Sequence, residues 1–204
     1  MYLNQPLEAL STPDQARLLT VLYRAGQPLS GRMIAALTGT VSQSTVSRLL
    51  TGLTSTGLVL RVPGGYVINR DHLAHRAVEN LCESNDEFRR RVGRAIEAWG
   101  AQPVAVIVFG SAARGDAEAS SDVDLLVIRP AEVDADDEAW AHDVSTLAEH
   151  VQLWTGAACD VLEYEPDELE ELHRSGDPLV DSLLRDGIPI VGSPLRSLLG
   201  AMSG

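Results

Sequence analysis

Two aspartates, Asp122 and Asp124, stand in the run Asp-Val-Asp-Leu-Leu-Val-Ile, and a glycine-serine pair, Gly110-Ser111, lies upstream of them. The apolar run Val104 to Phe109 is too short for a free-standing helix, and it predicts a buried strand that empties into a tight turn at Gly110. Side chains alternate along a strand, so Asp122 and Asp124 should leave one face while Val123, Leu125 and Val127 leave the other. Two carboxylates so placed repel one another unless a cation lies between them. Magnesium suits that position, because it takes hard oxygen ligands, keeps waters and is commonly shared between one or two carboxylates and substrate phosphates. Gly110 lets the backbone approach a ligand closely. Ser111 is expected to cap a helix beginning near Ala112, which would turn unpaired amides and the positive helix end toward phosphates. From the residues alone, a capping serine followed by a turn with two solvated aspartates is the competing reading.

The elements that must position these groups are a strand, the Gly-Ser bend, a short helix and a second strand. That arrangement resembles the nucleotidyltransferase superfamily of DNA polymerase beta, and especially its minimal nucleotidyltransferase branch. The match runs through Gly110, Ser111, Arg114, Gly115, Ser121, Asp122, Asp124 and Leu125. The resemblance implies a mixed sheet flanked by helices, with a third carboxylate on the strand beside the Asp-x-Asp strand. Asp160, at the start of the strand expected over residues 158–164, matches that carboxylate by order. The competing reading is that Asp160 merely begins a strand. Glu163 would point to the opposite face, so the two cannot both serve.

The resemblance further implies metal-dependent transfer of a nucleoside monophosphate from a nucleoside triphosphate (NTP) to an acceptor. Asp122, Asp124 and Asp160 would hold Mg2+ or Mn2+, and Gly110, Ser111, Arg114 and Ser121 would hold the nucleotide, with Asp160 placed to take the acceptor's proton. Two other functions remain open at this point. One is a nucleotide-sensing transcription regulator with little or no turnover. The other is an antitoxin, since many members of that branch resemble antitoxins that modify or bind a ribonuclease toxin, and a toxin partner protein would then be expected. The acceptor is not legible. The small C-terminal domain and the lack of lysine favour a small or proteinaceous one.

Ahead of this region, apolar residues recur at helical spacing over 13–24, again around Ile34 and Leu37, and again at Val46, Leu49, Leu50 and Leu53. Gly26, Gly39 and Gly57 are expected to stop the three helices, and Ser30 and Ser42 to cap the second and third. Residues 58–62 and 66–69, joined by Pro63-Gly64-Gly65, predict a strand, a turn and a returning strand. The stretch resembles a bacterial winged helix-turn-helix. The resemblance implies DNA as a partner, with Gln43, Ser44, Thr45, Ser47 and Arg48 of the third helix facing the major groove and Arg61 or Arg70 accompanying the wing to the backbone. A protein-interaction or dimerisation module is the alternative, and a homodimer is a further expectation.

Charge divides the chain in the same way. The net charge is -13, and all sixteen basic residues are arginine. Residues 1–70 hold six arginines against two acids, whereas residues 71–204 hold ten against 27. Only the N-terminal third could therefore approach a phosphate backbone without a metal or an arginine intervening. The absence of an 18-residue apolar segment and of a signal-like N-terminus predicts no membrane span and a cytoplasmic location. Cys82 and Cys159 are isolated and are expected to be reduced, buried thiols.

The expected organisation is multi-domain, α followed by α+β: a winged helix-turn-helix over 1–70, a helical connector over 71–100, a nucleotidyltransferase domain over 101–194 and a flexible tail over 195–204. Phe88, Val92, Ile96 and Trp99 form a core stripe on the connector, with Arg89, Arg90, Arg91 and Arg94 around the other side. Glu132 to Asp137 should open a helix running to about Trp154, and residues 179–185 and 187–192 should add a helix and an edge strand.

Overall fold

In the N-terminal part, Pro13 at the first helical position and Gly26 in the left-handed conformation (φ 61°) bound α1 (Pro13–Ala25). The Ser30 side chain accepts from the Met33 amide to start α2 (Gly31–Thr38), and the Ser42 side chain accepts from the Thr45 amide to start α3 (Gln43–Ser55). Strands β1 (Val59–Val62) and β2 (Gly65–Ile68) pair antiparallel as a hairpin, and an antiparallel bridge from Leu29 to Tyr66 adds a third edge. The cap at Ser42 satisfies an amide at the start of α3 that has no partner within the helix. Ser42→Ala should destabilise this part of the protein by about 1 kcal/mol, measurable as a lowered midpoint of its urea transition.

The structure, a computed structural model, describes residues 6–114 and 121–202, and of Arg114, Ala201 and Met202 the backbone alone. The chain divides into two compact units between Asn85 and Asp86. The stretch expected to be one connector is therefore shared between them. Helix α4 (His75–Cys82) buries Val78 in the core of the first unit with Leu18, Leu22, Ile34 and Leu50, while α5 (Ser84–Glu97) buries Phe88, Val92 and Ile96 in a core of the second. Helix α2 turns Ile34 and Thr38 inward. Leu37, expected inside, is 58% exposed.

The second unit is built on a four-stranded sheet in the order β5-β4-β3-β6, formed by β3 (Ala105–Phe109), β4 (Val123–Ile128), β5 (Cys159–Tyr164) and β6 (Ile188–Val191). β4 and β5 run parallel, and β3 runs antiparallel to both β4 and β6. Pro189 lies on the edge strand, where its missing N–H costs least. One sheet face, carrying Val106, Val108, Leu125 and Val127, packs on α5 and on α7 (Glu138–Thr155). The other, carrying Ile107, Phe109, Leu126 and Ile128, packs on α8 (Pro166–Ser175), α9 (Pro178–Asp186) and α10 (Leu195–Met202).

Three details differ from the sequence expectations. Residues 195–202, expected as a tail, form α10 and bury Leu195 and Leu199. Helix α8 falls in a stretch left without an element. Helix α7 begins at Glu138, so the acids of 132–137 precede it, and Asp137 caps it by accepting from the Trp140 amide at 2.9 Å.

Candidate active site

β3 ends at Phe109 and the chain turns at once into the short helix α6 (Gly110–Arg114). The helix starts two residues earlier than expected, so Ser111 sits inside its first turn and not ahead of it. Gly110 has φ 67°, in the left-handed region that favours glycine. Its Cα also lies against the Asp124 carboxylate, so that a Cβ built there would overlap the carboxylate oxygen, with Asp124 Cγ only 3.1 Å away. No other residue type can make this approach without displacing one of the two. The cause is the strand register, which sets Phe109 opposite Asp124 and so brings the next residue of the bend alongside the carboxylate.

Asp124 is also the register partner of Asp160 across the parallel β4–β5 pair. Paired residues of adjacent strands project from the same face about 5 Å apart, and Leu126, Leu162 and Tyr164 continue that face into the α8–α10 core. Asp124 is half-buried and Asp160 exposed. Asp122 is exposed and lies just ahead of β4, outside the ladder, so strand alternation does not govern its side chain. Among the described residues no group of three or more His, Cys, Asp or Glu side chains is gathered closely enough to hold a metal ion. The three-carboxylate convergence implied by resemblance is thus not formed as a ready cage. The donor set still fits a hard cation, since two adjacent carboxylates are what Mg2+ takes when phosphates and water complete its shell.

The neighbouring thiol registers the same negative field. Burial, followed by the charges of Asp160 and Asp124, pushes the Cys159 thiol up to about 12. An acid whose folded value is raised contributes stability that is complete below the ordinary thiol range near 8.5 and is lost as pH rises toward 12. Native Cys159 should therefore react with iodoacetamide at pH 8 at least a hundredfold more slowly than an unfolded thiol. A rate within tenfold of the unfolded value would disprove this field. Cys82 is likewise raised by burial, and both cysteines are free and half-buried.

Glu163 faces away from the bend, as alternation requires. It accepts from Arg129 Nε at 2.8 Å, and Glu165 pairs with Arg129 Nη2 at 2.7 Å. Arg129 itself is 4% exposed and also donates to the Val133 carbonyl. This group is a structural clasp between β4, β5 and the start of α8. On α5, Arg90, Arg91 and Arg94 gather on Glu87 and Arg89 pairs with Asp86. These pairs make that run a solvated helix face. Ser121, next to Asp122, is half-buried. Gly115 lies outside the described residues, as does the side chain of Arg114.

In the first unit Gln43, Ser44, Ser47 and Arg48 are exposed along α3, and Arg61 is exposed on β1. Thr45 is half-buried, and the Ser42 hydroxyl donates to its side-chain oxygen at 3.0 Å, which ties it into the cap. Arg70 is exposed just after the hairpin.

Comparison with known proteins bears directly on this geometry. Residues 86–185 match the nucleotidyltransferase domain family, and residues 11–65 match the MarR family. The chain is a nucleotidyltransferase domain joined to a MarR-family winged helix. The nucleotidyltransferase match covers the bend, both strand aspartates and all of α9 but its last residue, and it begins at Asp86, where the second unit takes over from the first. Among curated proteins none matches the chain. A solved structure described as "Crystal structure of the toxin-antitoxin with AMP-PNP" is similar at 19% identity and a TM-score of 0.38, over 56% of this chain and 82% of that one. No helix among the described residues is long and apolar enough to cross a membrane.

Proposed function

We propose that the nucleotidyltransferase domain transfers a nucleoside monophosphate from an NTP to an acceptor at the Gly110–Asp124–Asp160 site, and that the MarR-family domain binds DNA. The observation that carries the reading is the steric lock between Gly110 and the Asp124 carboxylate within a matched nucleotidyltransferase domain. The lock presents a carboxylate, an exposed second carboxylate and a glycine backbone at one end of the sheet. In the reaction, an acceptor oxygen or nitrogen forms a bond to the α-phosphorus while the bond from that phosphorus to the bridging oxygen breaks. Pyrophosphate leaves.

A divalent cation held by Asp124 and Asp160, with Asp122 beside them in the chain, would neutralise charge on the phosphates. The Asp160 carboxylate, exposed and next to Asp124, takes the proton from the attacking group. The Gly110 backbone, with no side chain in the way, admits the triphosphate tail to the bend, and Ser111 and Ser121 donate hydroxyl bonds to it. Asp124, half-buried against the Gly110 bend, would be one of the residues that hold such a cation, which would supply charge neutralisation at the phosphates.

The test is release of pyrophosphate and transfer of α-labelled nucleotide from each of the four NTPs, with Mg2+ or Mn2+, to acceptors in cell lysate. Absence of both pyrophosphate and labelled product under all of these conditions would rule the transferase reading out. A second reading, a nucleotide-sensing regulator, is favoured by the opposite charge of the two units. Residues 5–85 carry seven arginines against five acids, and residues 86–204 carry nine against 24. It predicts DNA affinity that changes with NTP across a salt series, and DNA binding indifferent to nucleotide would dismiss it.

A further inference from the structure

We infer that Arg185, held by Asp186, is a binding residue for the β- and γ-phosphates of the nucleotide and makes the site select triphosphates over monophosphates. This rests on the transferase reading above and deepens it.

The placement follows from topology. β6 runs antiparallel to β3 with Ile188 opposite Val108, so the turn at Gly187 lies at the end of β3 that leads into Gly110. Helix α9 precedes that turn and therefore delivers its last residues, Arg185 and Asp186, to the same end of the sheet. It lies on the face from which Asp124 and Asp160 project, because Val180 and Leu183 share a core with Ile107, Phe109 and Leu126. Gly187 holds the turn tight, since a Cβ there would come within 3.0 Å of Ile107 Cγ2. Helix α9 also packs directly against α6, the turn that contains Gly110 and Ser111.

The side chains suit the role. The Asp186 side chain is only 10% exposed, whereas that of Arg185 is 66% exposed. Arg185 Nε donates to both Asp186 carboxylate oxygens at 3.1 and 3.2 Å, and Nη2 donates at 3.0 Å. That pattern engages one edge of the guanidinium and leaves the Nη1 donors for a second anion, which is how a carboxylate positions an arginine for phosphate. The electrostatic need is plain, since a unit with nine arginines against 24 acids repels a triphosphate unless a cation stands at the tail. A nucleoside monophosphate has no tail to reach it.

The experiment measures affinity of the full chain for each NTP and its monophosphate, with Mg2+ and without acceptor, in wild type, Arg185→Gln, Arg185→Lys and Arg174→Gln. Arg174 pairs with Glu170 on α8 and serves as an exposed control. We expect Arg185→Gln to weaken triphosphate binding about tenfold or more with monophosphate affinity unchanged. Arg185→Lys should recover part of the loss, and Arg174→Gln should match wild type. Wild-type triphosphate affinity in Arg185→Gln would overturn the inference alone, as would an equal loss for tri- and monophosphate, the mark of a structural role. A wild-type chain that binds no triphosphate would overturn the transferase reading together with it.

Discussion

Asp124→Asn should lower nucleotidyl transfer by a factor on the order of 10³ while leaving the protein folded. The substitution keeps the shape of a half-buried side chain that faces Gly110 on one side and Asp160 on the other. What it removes is the charge, and an amide oxygen is a far poorer partner for a cation shared with phosphates. The loss should appear in turnover more than in the apparent affinity for the NTP, because charge builds at the α-phosphorus as the reaction proceeds. Melting temperature should move by no more than a few degrees, about what 1 kcal/mol gives in a chain of this size. Transfer kept above a tenth of the wild-type rate, with metal dependence intact, would remove Asp124 from the site.

Gly110→Ala is the second substitution of large effect, and it acts through two separable causes. A φ of 67° costs a residue with a Cβ roughly 1 kcal/mol or more. The added methyl group must then displace the Asp124 carboxylate or push the bend away from β4. Together these should lower stability by about 1–3 kcal/mol and transfer by about a hundredfold. Gly176→Ala separates the causes. It has φ 72°, and a Cβ there meets nothing within 4 Å, so it carries the backbone strain without the clash. If Gly176→Ala and Gly110→Ala were equally active and equally destabilised, the lock between Gly110 and Asp124 would have no functional weight.

The lock explains why the site is a strand-bend-strand feature and not a loop. Phe109 opposite Asp124 fixes the bend to the carboxylate, and Asp124 beside Asp160 fixes the carboxylate to its neighbour. Both contacts are backbone register, which buried apolar residues on either side of the sheet hold in place; a slip by one residue would turn every one of them to the wrong face.

Features that depend on a few neighbouring residues were legible in the amino-acid order. The serine caps of α2 and α3, the glycine end of α1, the stripe of Phe88, Val92, Ile96 and Trp99, and the Gly-Ser bend ahead of Asp-x-Asp are all local. Each follows from periodicity, a cap or a turn preference within one or two turns of chain. That Asp160 lies on the strand beside the Asp-x-Asp strand was expected only through a family resemblance, and its register with Asp124 comes from the sheet alone, because pairing between distant strands leaves no local trace.

Tertiary packing decided the rest. Helices α4 and α5 are both amphipathic, and nothing in either says that one face belongs to the first core and the other to the second. Leu37 lost its expected place to Thr38 because the first core meets α2 on the Ile34–Thr38 side of its apolar stripe and leaves the Leu37 side to solvent, a rotation that spacing does not specify. Leu195 and Leu199 read as part of a tail until the α8–α9 surface offered them somewhere to go. Arg185 and Asp186 were an unremarked charged pair at a helix end, and only the antiparallel return of β6 along β3 carries them to the bend. Short-range order can be written in spacing, but which surfaces meet depends on the free energy of burying them together, and that is a property of the folded whole.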